Sequence, residues 1–242
     1  MKTYMADLHI HTCLSPCSDV EMSPRRIAEE ARKQRLEILG VCDHNSAENA
    51  AAVAEAAGRF GIRVLPGMEI MSREEVHILA LFEELEAALS MQDEVYAHLA
   101  GENDETVFGP QVIADAEDGV VGFCPKFLIN AASLSLEGVV DHIHTRNGLA
   151  IAAHIDRESF GLLGQLGFIP ERLALDALEI SPHLSMAEAR ERYGPARPLI
   201  RFSDAHALRE IGRATTSFAL ETAAIEEIRM ALGGIGGRRI LP

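Results

Sequence analysis

Asp7-Leu8-His9-Ile10-His11 closes an apolar run that begins with Tyr4, Met5 and Ala6. Such a run reads as a strand, and side chains two apart on a strand point to the same side. His9 and His11 therefore aim two imidazoles at one point, which is how a strand end chelates a metal ion. Ordinary core strands do not repeatedly end in such residues, yet the pattern recurs along this chain. His44, in Val-Cys-Asp-His, follows the run Leu36 to Val41. Glu69, in Pro-Gly-Met-Glu, ends a run that starts at Ile62 to Leu65. His154 follows Leu149 to Ala153, and Asp204 and His206 follow Leu199 to Ser203.

Helical stretches separate these runs. Ser23-Pro24 supplies an N-cap and a proline at the first helical position, opening a helix to about Gln34. The alanine-rich stretch Ala47 to Phe60 is helical and closes at Gly61. With Ala177 to Ile180 added, about seven barrel-like strands alternate with helices, which argues for a parallel α/β architecture. A helix over Thr222 to Leu232 and a short strand over Arg239 to Leu241 end the chain. In a parallel barrel the strand ends share one face, and active sites are built there. His77 begins its run, Val76 to Phe82, instead of ending it. It joins the others only if the chain reverses between Glu69 and His77, which makes the barrel irregular.

Residues 83–147 read as a mainly helical insertion placed to form a lid over the site. Glu83 to Leu99 is helical, and Gly109-Pro110 and Asp118-Gly119 are turn signals around a hairpin near Val120. Residues 1–242 otherwise read as one barrel domain. The formal net charge of −15 argues against a broad nucleic-acid surface, and leaves room for a small phosphorylated substrate, a nucleotide or a short oligonucleotide. Four cysteines in 242 residues do not form a disulfide scaffold. Neither a signal peptide nor a long apolar run is evident, so a cytoplasmic protein with reduced thiols and no membrane partner is expected. Oligomeric state is not encoded legibly.

Imidazole and carboxylate donors suit zinc, manganese or iron more than calcium or magnesium. The candidates exceed the needs of one ion, so two or three divalent ions are expected. Paired ions about 3.5–4 Å apart suit the hydrolysis of phosphate esters.

In order, His9-Ile10-His11, the loop acid Asp19 before Ser23-Pro24, Asp43-His44, Gly67 to Glu69, His77 opening an apolar run, Ala153-His154 and Ser203 to His206 resemble the polymerase and histidinol phosphatase (PHP) superfamily. Each motif is weak alone; their ordered conjunction spans nearly the whole chain. The resemblance implies a distorted seven-stranded TIM-like barrel with a trinuclear metal site. It implies that His9, His11, Glu69 and Asp204 hold one ion, that Glu69, His77 and His154 hold a second, and that Asp19, His44 and His206 hold the third. One position departs from the family pattern: Asp19 lies eight residues after His11, farther than family members often place this acid. Counting back from Ser23-Pro24 selects Asp19, whereas counting forward from His11 brings Cys17 close, and a thiolate is a good zinc ligand.

A phosphate also needs a cation from the protein. Arg157, three residues past His154, is the first candidate, followed by Lys126 in the insertion and Arg213. Asp204, His206 and Arg157 are expected at the catalytic step. The expected activity is metal-dependent hydrolysis of a small phosphomonoester or nucleotide by an activated water. An oligonucleotide exonuclease using the same site, an amide or lactone hydrolase, and a non-catalytic metal-binding regulatory module are the competing readings. His98, His142, His144 and His183 read as surface or satisfied residues, with His183 the nearest to a strand end. Asp7 and Asp43 precede ligand histidines and either orient imidazoles or cap turns. Cys13, Cys42 and Cys124 read as small buried apolar residues.

Overall fold

A computed structural model describes residues 1–194 and 197–242. Nine strands form one curled sheet: β1 (Lys2–Ile10), β2 (Ile38–Val41), β3 (Arg63–Met71), β4 (His77–Leu81), β7 (Leu149–Ala152), β8 (Ala177–Ile180), β9 (Leu199–Arg201), β10 (Thr216–Leu220) and β11 (Arg239–Ile240). Their order is β11-β10-β1-β2-β3-β4-β7-β8-β9. β1, β2 and β3 pair in parallel, as do β7, β8 and β9. β4 runs antiparallel to both β3 and β7, so the expected reversal after Glu69 is a hairpin that sets His77 opposite Met71. This fold is the distorted, TIM-like α/β barrel expected from the sequence.

The curl closes at one end only. Beyond β9 the chain crosses to β1, where Ala205 bridges Ile10 and the His11 N–H donates to the Ala205 carbonyl at 3.0 Å. Over the other half of β1, Lys2 to Ala6, β10 takes the neighbouring place as an antiparallel strand. β10, Thr-Ser-Phe-Ala-Leu, was not expected from the sequence, because it neither alternates nor forms an unbroken apolar run. Buried Asp7 fastens the closure, accepting from the Ser203 N–H at 3.0 Å and the Gly212 N–H at 2.9 Å. Burial pushes its carboxyl up to about 6, even though those donors favour the charged form. Asp7 is therefore a tie between segments and not a partner of His9.

Two large apolar clusters fill most of the molecule, and a small third one gathers Leu14, Leu99, Cys124 and Leu128. The first lies between the sheet and helices α1 (Pro24–Lys33), α2 (Ala50–Gly58), α3 (Leu85–His98) and α5 (Leu136–His144). The second is built mostly from strand residues such as Leu8, Leu65, Leu79, Ile151 and Phe202. A register shift between Asp7 and Ile10 re-aims the end of β1. Gly67 is required by close approach: a Cβ there would run into the Ala80 carbonyl of β4. Helix α1 begins at Pro24 as expected, although the Ser23 hydroxyl makes no capping bond. Helix α2 starts at Ala50 and not at Ala47, whose N–H donates to the Gln92 side chain at 2.8 Å.

Residues 83–147 hold α3, α4 (Glu105–Phe108), the hairpin β5 (Val112–Ala114) and β6 (Val120–Phe123), and α5. They are tied to the loops after β1 and β2. The Val112 N–H donates to the Cys13 carbonyl, and the Asn45 amide donates to the Leu128 and Asn130 carbonyls. Beyond them follow α6 (Leu162–Leu166), α7 (Met186–Tyr193) and α8 (Ile225–Leu232). Among the described residues no helix is long and apolar enough to cross a membrane.

Candidate metal centre

The strand ends converge. His9 Nε2 and His11 Nε2 lie 3.2 Å apart, and each is within 3.5 Å of Glu69 and Asp204 oxygens. Glu69 Oε1 lies 2.7 Å from His77 Nδ1 and 3.0 Å from His154 Nε2, and its Oε2 is 3.1 Å from His44 Nδ1. His206 stacks on His11 with ring centroids 4.1 Å apart. Three donor groups, His9/His11/Asp204, His44/Glu69/His77 and His11/His44/His206, each have their ligand atoms within 4.8 Å of one another. Six imidazoles and two carboxylates thus share one mostly buried space.

Backbone geometry holds them there. Glu69 bridges His44 across the β2–β3 end, with the Glu69 N–H on the Asp43 carbonyl and the Asn45 N–H on the Glu69 carbonyl. His154 and Asp204 both take left-handed backbone conformations, at φ 27° and 49°. Such strain costs about 1–3 kcal/mol per residue and persists only where the surroundings over-determine it.

The other ring nitrogens show which tautomer each histidine adopts. The Ser15 hydroxyl has one hydrogen, given to Asp43 at 2.6 Å, so His11 Nδ1–H must donate to Ser15 Oγ at 2.9 Å. His9 Nδ1–H donates to both oxygens of Glu179, at 3.0 and 3.1 Å. His206 Nδ1–H donates to the Asp204 carbonyl at 3.0 Å. All three rings are thereby fixed with Nε2 as the free nitrogen. Asp43 does orient an imidazole, but through Ser15. Glu179, on β8, went unrecognised in the sequence. Its signal was a lone acid inside the apolar strand Ala-Leu-Glu-Ile.

The donors fit a bound cation. Two facing Nε2 lone pairs 3.2 Å apart repel unless a positive charge, a proton or a metal ion, lies between them. Donors 3.2–3.5 Å apart match the edge of a tetrahedron with bonds of about 2.0–2.1 Å, which is about 3.4 Å. His44 Nδ1, His77 Nε2, His154 Nδ1 and Asp204 Oδ1 are buried without a hydrogen-bond partner. Buried polar atoms are rarely left so.

Electrostatics point the same way. Burial favours protonation of Glu69 and Asp204, but His77 and His9 beside Glu69, and His9 and His11 beside Asp204, hold both far below the usual carboxylate range. Burial disfavours charge on His9, yet Glu179, Asp204 and Glu69 hold its pKa well above the ordinary histidine value. Burial, then His206, lowers His11 to about 3.

The remaining candidates separate. Arg157, 39% exposed, pairs with Asp204 at the rim. Phe160, on the same loop, lies flat on His77 with centroids 4.9 Å apart. Lys126 is drawn away from the site: its Nζ donates to the Tyr96 carbonyl at 3.1 Å and sits over the Tyr96 ring. Arg213 braces the chain, donating to the Ser203 carbonyl at 2.9 Å and to Glu210 at 3.1 Å. Asp19 is not brought in. Its carboxylate is 60% exposed and faces Arg209, while Cys17 Sγ lies 3.2 Å from His44 Nε2. The longer loop explains the correction, because the Asp19 N–H is fixed on the His206 carbonyl at 2.8 Å with the side chain turned outward. His144 pairs with Asp176, His98 and His142 lie near Glu94, and His183 is exposed.

The chain matches the family model of the PHP domain over residues 7–157 and that described as PHP-associated over residues 203–233. It is 32% identical over 99 residues to an uncharacterised protein of Methanocaldococcus jannaschii, covering 37% of this chain and 58% of that protein. It is 33% identical over 78 residues to a 5'-3' exoribonuclease of Haemophilus influenzae, covering 31% of this chain and 27% of that protein. Its fold resembles that of a lesion-specific endonuclease from Pyrococcus furiosus, with a TM-score of 0.75 and 19% identity over 99% of this chain and 58% of that one. In each case the match falls short of two thirds of the other protein's length.

Proposed function

Because the chain belongs to the PHP domain family, we propose that it is a metal-dependent hydrolase of phosphate esters, acting on a small phosphomonoester or nucleotide. One observation carries the reading: imidazole and carboxylate ligand atoms converge, several of them buried with no hydrogen-bond partner, beside the guanidinium of Arg157. His9, His11, Glu69 and Asp204 would hold one ion; Glu69, His77 and His154 a second; His44 and His206 belong to a third. Bound ions there would lower the pKa of a water molecule and offset charge on the phosphoryl oxygens.

The protein's own groups do the rest. Glu179, Ser15 and the Asp204 carbonyl hold the imidazoles of His9, His11 and His206 in the ligating tautomer. Arg157 is exposed enough to leave Asp204 and grip a phosphate, and its planar fork matches two phosphoryl oxygens. Asp204 and His206 then lie beside the reacting phosphorus. Phe160 shields the outer face of His77 from water. Residues 83–147 would cover the site from the side of the loops after β1 and β2.

A short oligonucleotide substrate is the second reading, favoured by the similarity to the 5'-3' exoribonuclease. The test is hydrolysis by zinc-, manganese- or iron-loaded protein of p-nitrophenyl phosphate, its bis-ester and a 5'-phosphorylated oligonucleotide. Monoester turnover supports the first reading. Diester or oligonucleotide cleavage that falls steeply with salt supports the second. No hydrolysis with any of these metals, or full turnover in His9→Ala or Asp204→Ala, overturns both.

A further inference from the structure

We infer that Cys17 gives a thiolate donor to a cation held with His44 and His206, so that this corner prefers zinc to manganese. The inference rests on the metal-centre reading proposed above. The loop after β1 is fixed by backbone bonds: Ser18 N–H to the Ser15 carbonyl at 3.0 Å, Asp19 N–H to the His206 carbonyl at 2.8 Å, and Met22 N–H to the Asp19 carbonyl at 2.9 Å. The Ser18 hydroxyl adds a bond to the His206 carbonyl at 3.3 Å. Together they turn Cys17 toward His44 and Asp19 toward solvent.

Cys17 Sγ lies 3.2 Å from His44 Nε2. Tetrahedral zinc with bonds of about 2.3 Å to sulfur and 2.0–2.1 Å to nitrogen would space those donors by about 3.5 Å. His44 is buried and turns its Nδ1 to Glu69 Oε2 at 3.1 Å, which leaves Nε2, the nitrogen beside Cys17, as the ring atom this corner can use. His11, His44 and His206 form one of the three clustered donor groups, and Cys17 stands at its His44 edge. The other cysteines are engaged elsewhere, Cys13 with the Val112 carbonyl, Cys42 with the Leu8 carbonyl and Cys124 with the Tyr96 hydroxyl.

The chemistry balances simply. On binding, the thiol loses its proton to solvent and a metal–sulfur bond forms; a cation deprotonates a coordinating thiol outright. A soft sulfur donor favours zinc, whereas a carboxylate at this position would suit manganese as well. Cys17 is exposed, so this corner opens to solvent.

The experiment is cobalt(II) reconstitution of the full chain, read by near-ultraviolet thiolate-to-cobalt absorption and by metal content. Wild type and Asp19→Asn should show the band. Cys17→Ser should lose it and bind one ion fewer per chain, the missing ion losing more than the roughly 10–100-fold in affinity that an outer partner costs. Cys17→Asp should keep the ion without the band and accept manganese, which guards against misfolding. A band that survives in Cys17→Ser, or an ion lost from Asp19→Asn instead, overturns the inference. Phosphate-ester hydrolysis without the band overturns the thiolate alone; the band without hydrolysis leaves the thiolate standing and overturns the hydrolase reading.

Discussion

Replacing Glu179 with glutamine should disable His9 without touching any ligand atom. Glu179 is 1% exposed, and its two oxygens accept from His9 Nδ1–H at 3.1 and 3.0 Å and from the His154 N–H at 3.2 Å. A glutamine has one acceptor where the carboxylate has two. If its oxygen takes the place shared by His9 and His154, its NH2 faces His9 Nδ1 as a second donor. The ring can relieve that only by moving its hydrogen to Nε2, which abolishes the free lone pair beside His11. Loss of such an orienting partner costs about 10–100-fold in metal affinity, or about 1.4–2.7 kcal/mol. A zinc titration against a chromophoric chelator measures it, and buffers of different ionisation enthalpy give the protons released. Glu179 also helps hold His9 protonated in the metal-free protein, so the variant should release fewer protons on loading. Unchanged affinity together with unchanged proton release would refute the positioning role.

Further outcomes follow from the same geometry. The raised His9 pKa stabilises the metal-free fold fully below the unfolded value of about 6.5, and that contribution is lost as pH rises through the folded value. The stability difference between metal-free wild type and His9→Asn should therefore shrink as pH rises, while zinc affinity climbs over the same window; a difference that grows would contradict this. Zinc at about 100 times its Kd should stabilise the fold by about 2.7 kcal/mol, a rise of about 5–10 °C in Tm that a chelator reverses. Arg157→Ala should leave metal content unchanged but cut turnover by about 10²–10³-fold, as loss of a charge-stabilising donor does. Gly67→Ala drives a Cβ into the Ala80 carbonyl and should cost about 1–3 kcal/mol in thermal unfolding.

What was legible in the sequence was what repeats at strand ends. His9, His11, His44, Glu69, His154, Asp204 and His206 stood out because polar ligands closing apolar runs are unusual. The β3–β4 reversal followed from His77 opening its run, since only an antiparallel strand brings a first residue to the face where the others bring their last. Three things were hidden. β10 pairs with β1 through a short stretch whose partner is over 200 residues away, so no local period marks it. The place of Asp19 depended on backbone bonds to His206, a contact between distant loops that counting along the chain does not contain. Glu179 looked like any strand residue, because its partner His9 lies 170 positions earlier. Lys126 and Arg213, expected beside a substrate phosphate, donate to the Tyr96 and Ser203 carbonyls, contacts that counting along the chain does not contain.

The most direct measurement is an anomalous difference map, collected at the metal edge, from crystals of metal-loaded protein. Peaks should lie among His9, His11 and Asp204, among Glu69, His77 and His154, and among His44, His206 and Cys17. A map without peaks there at full metal loading, or with its peaks at surface carboxylates such as Asp19, would contradict the metal centre and the hydrolysis proposed from it.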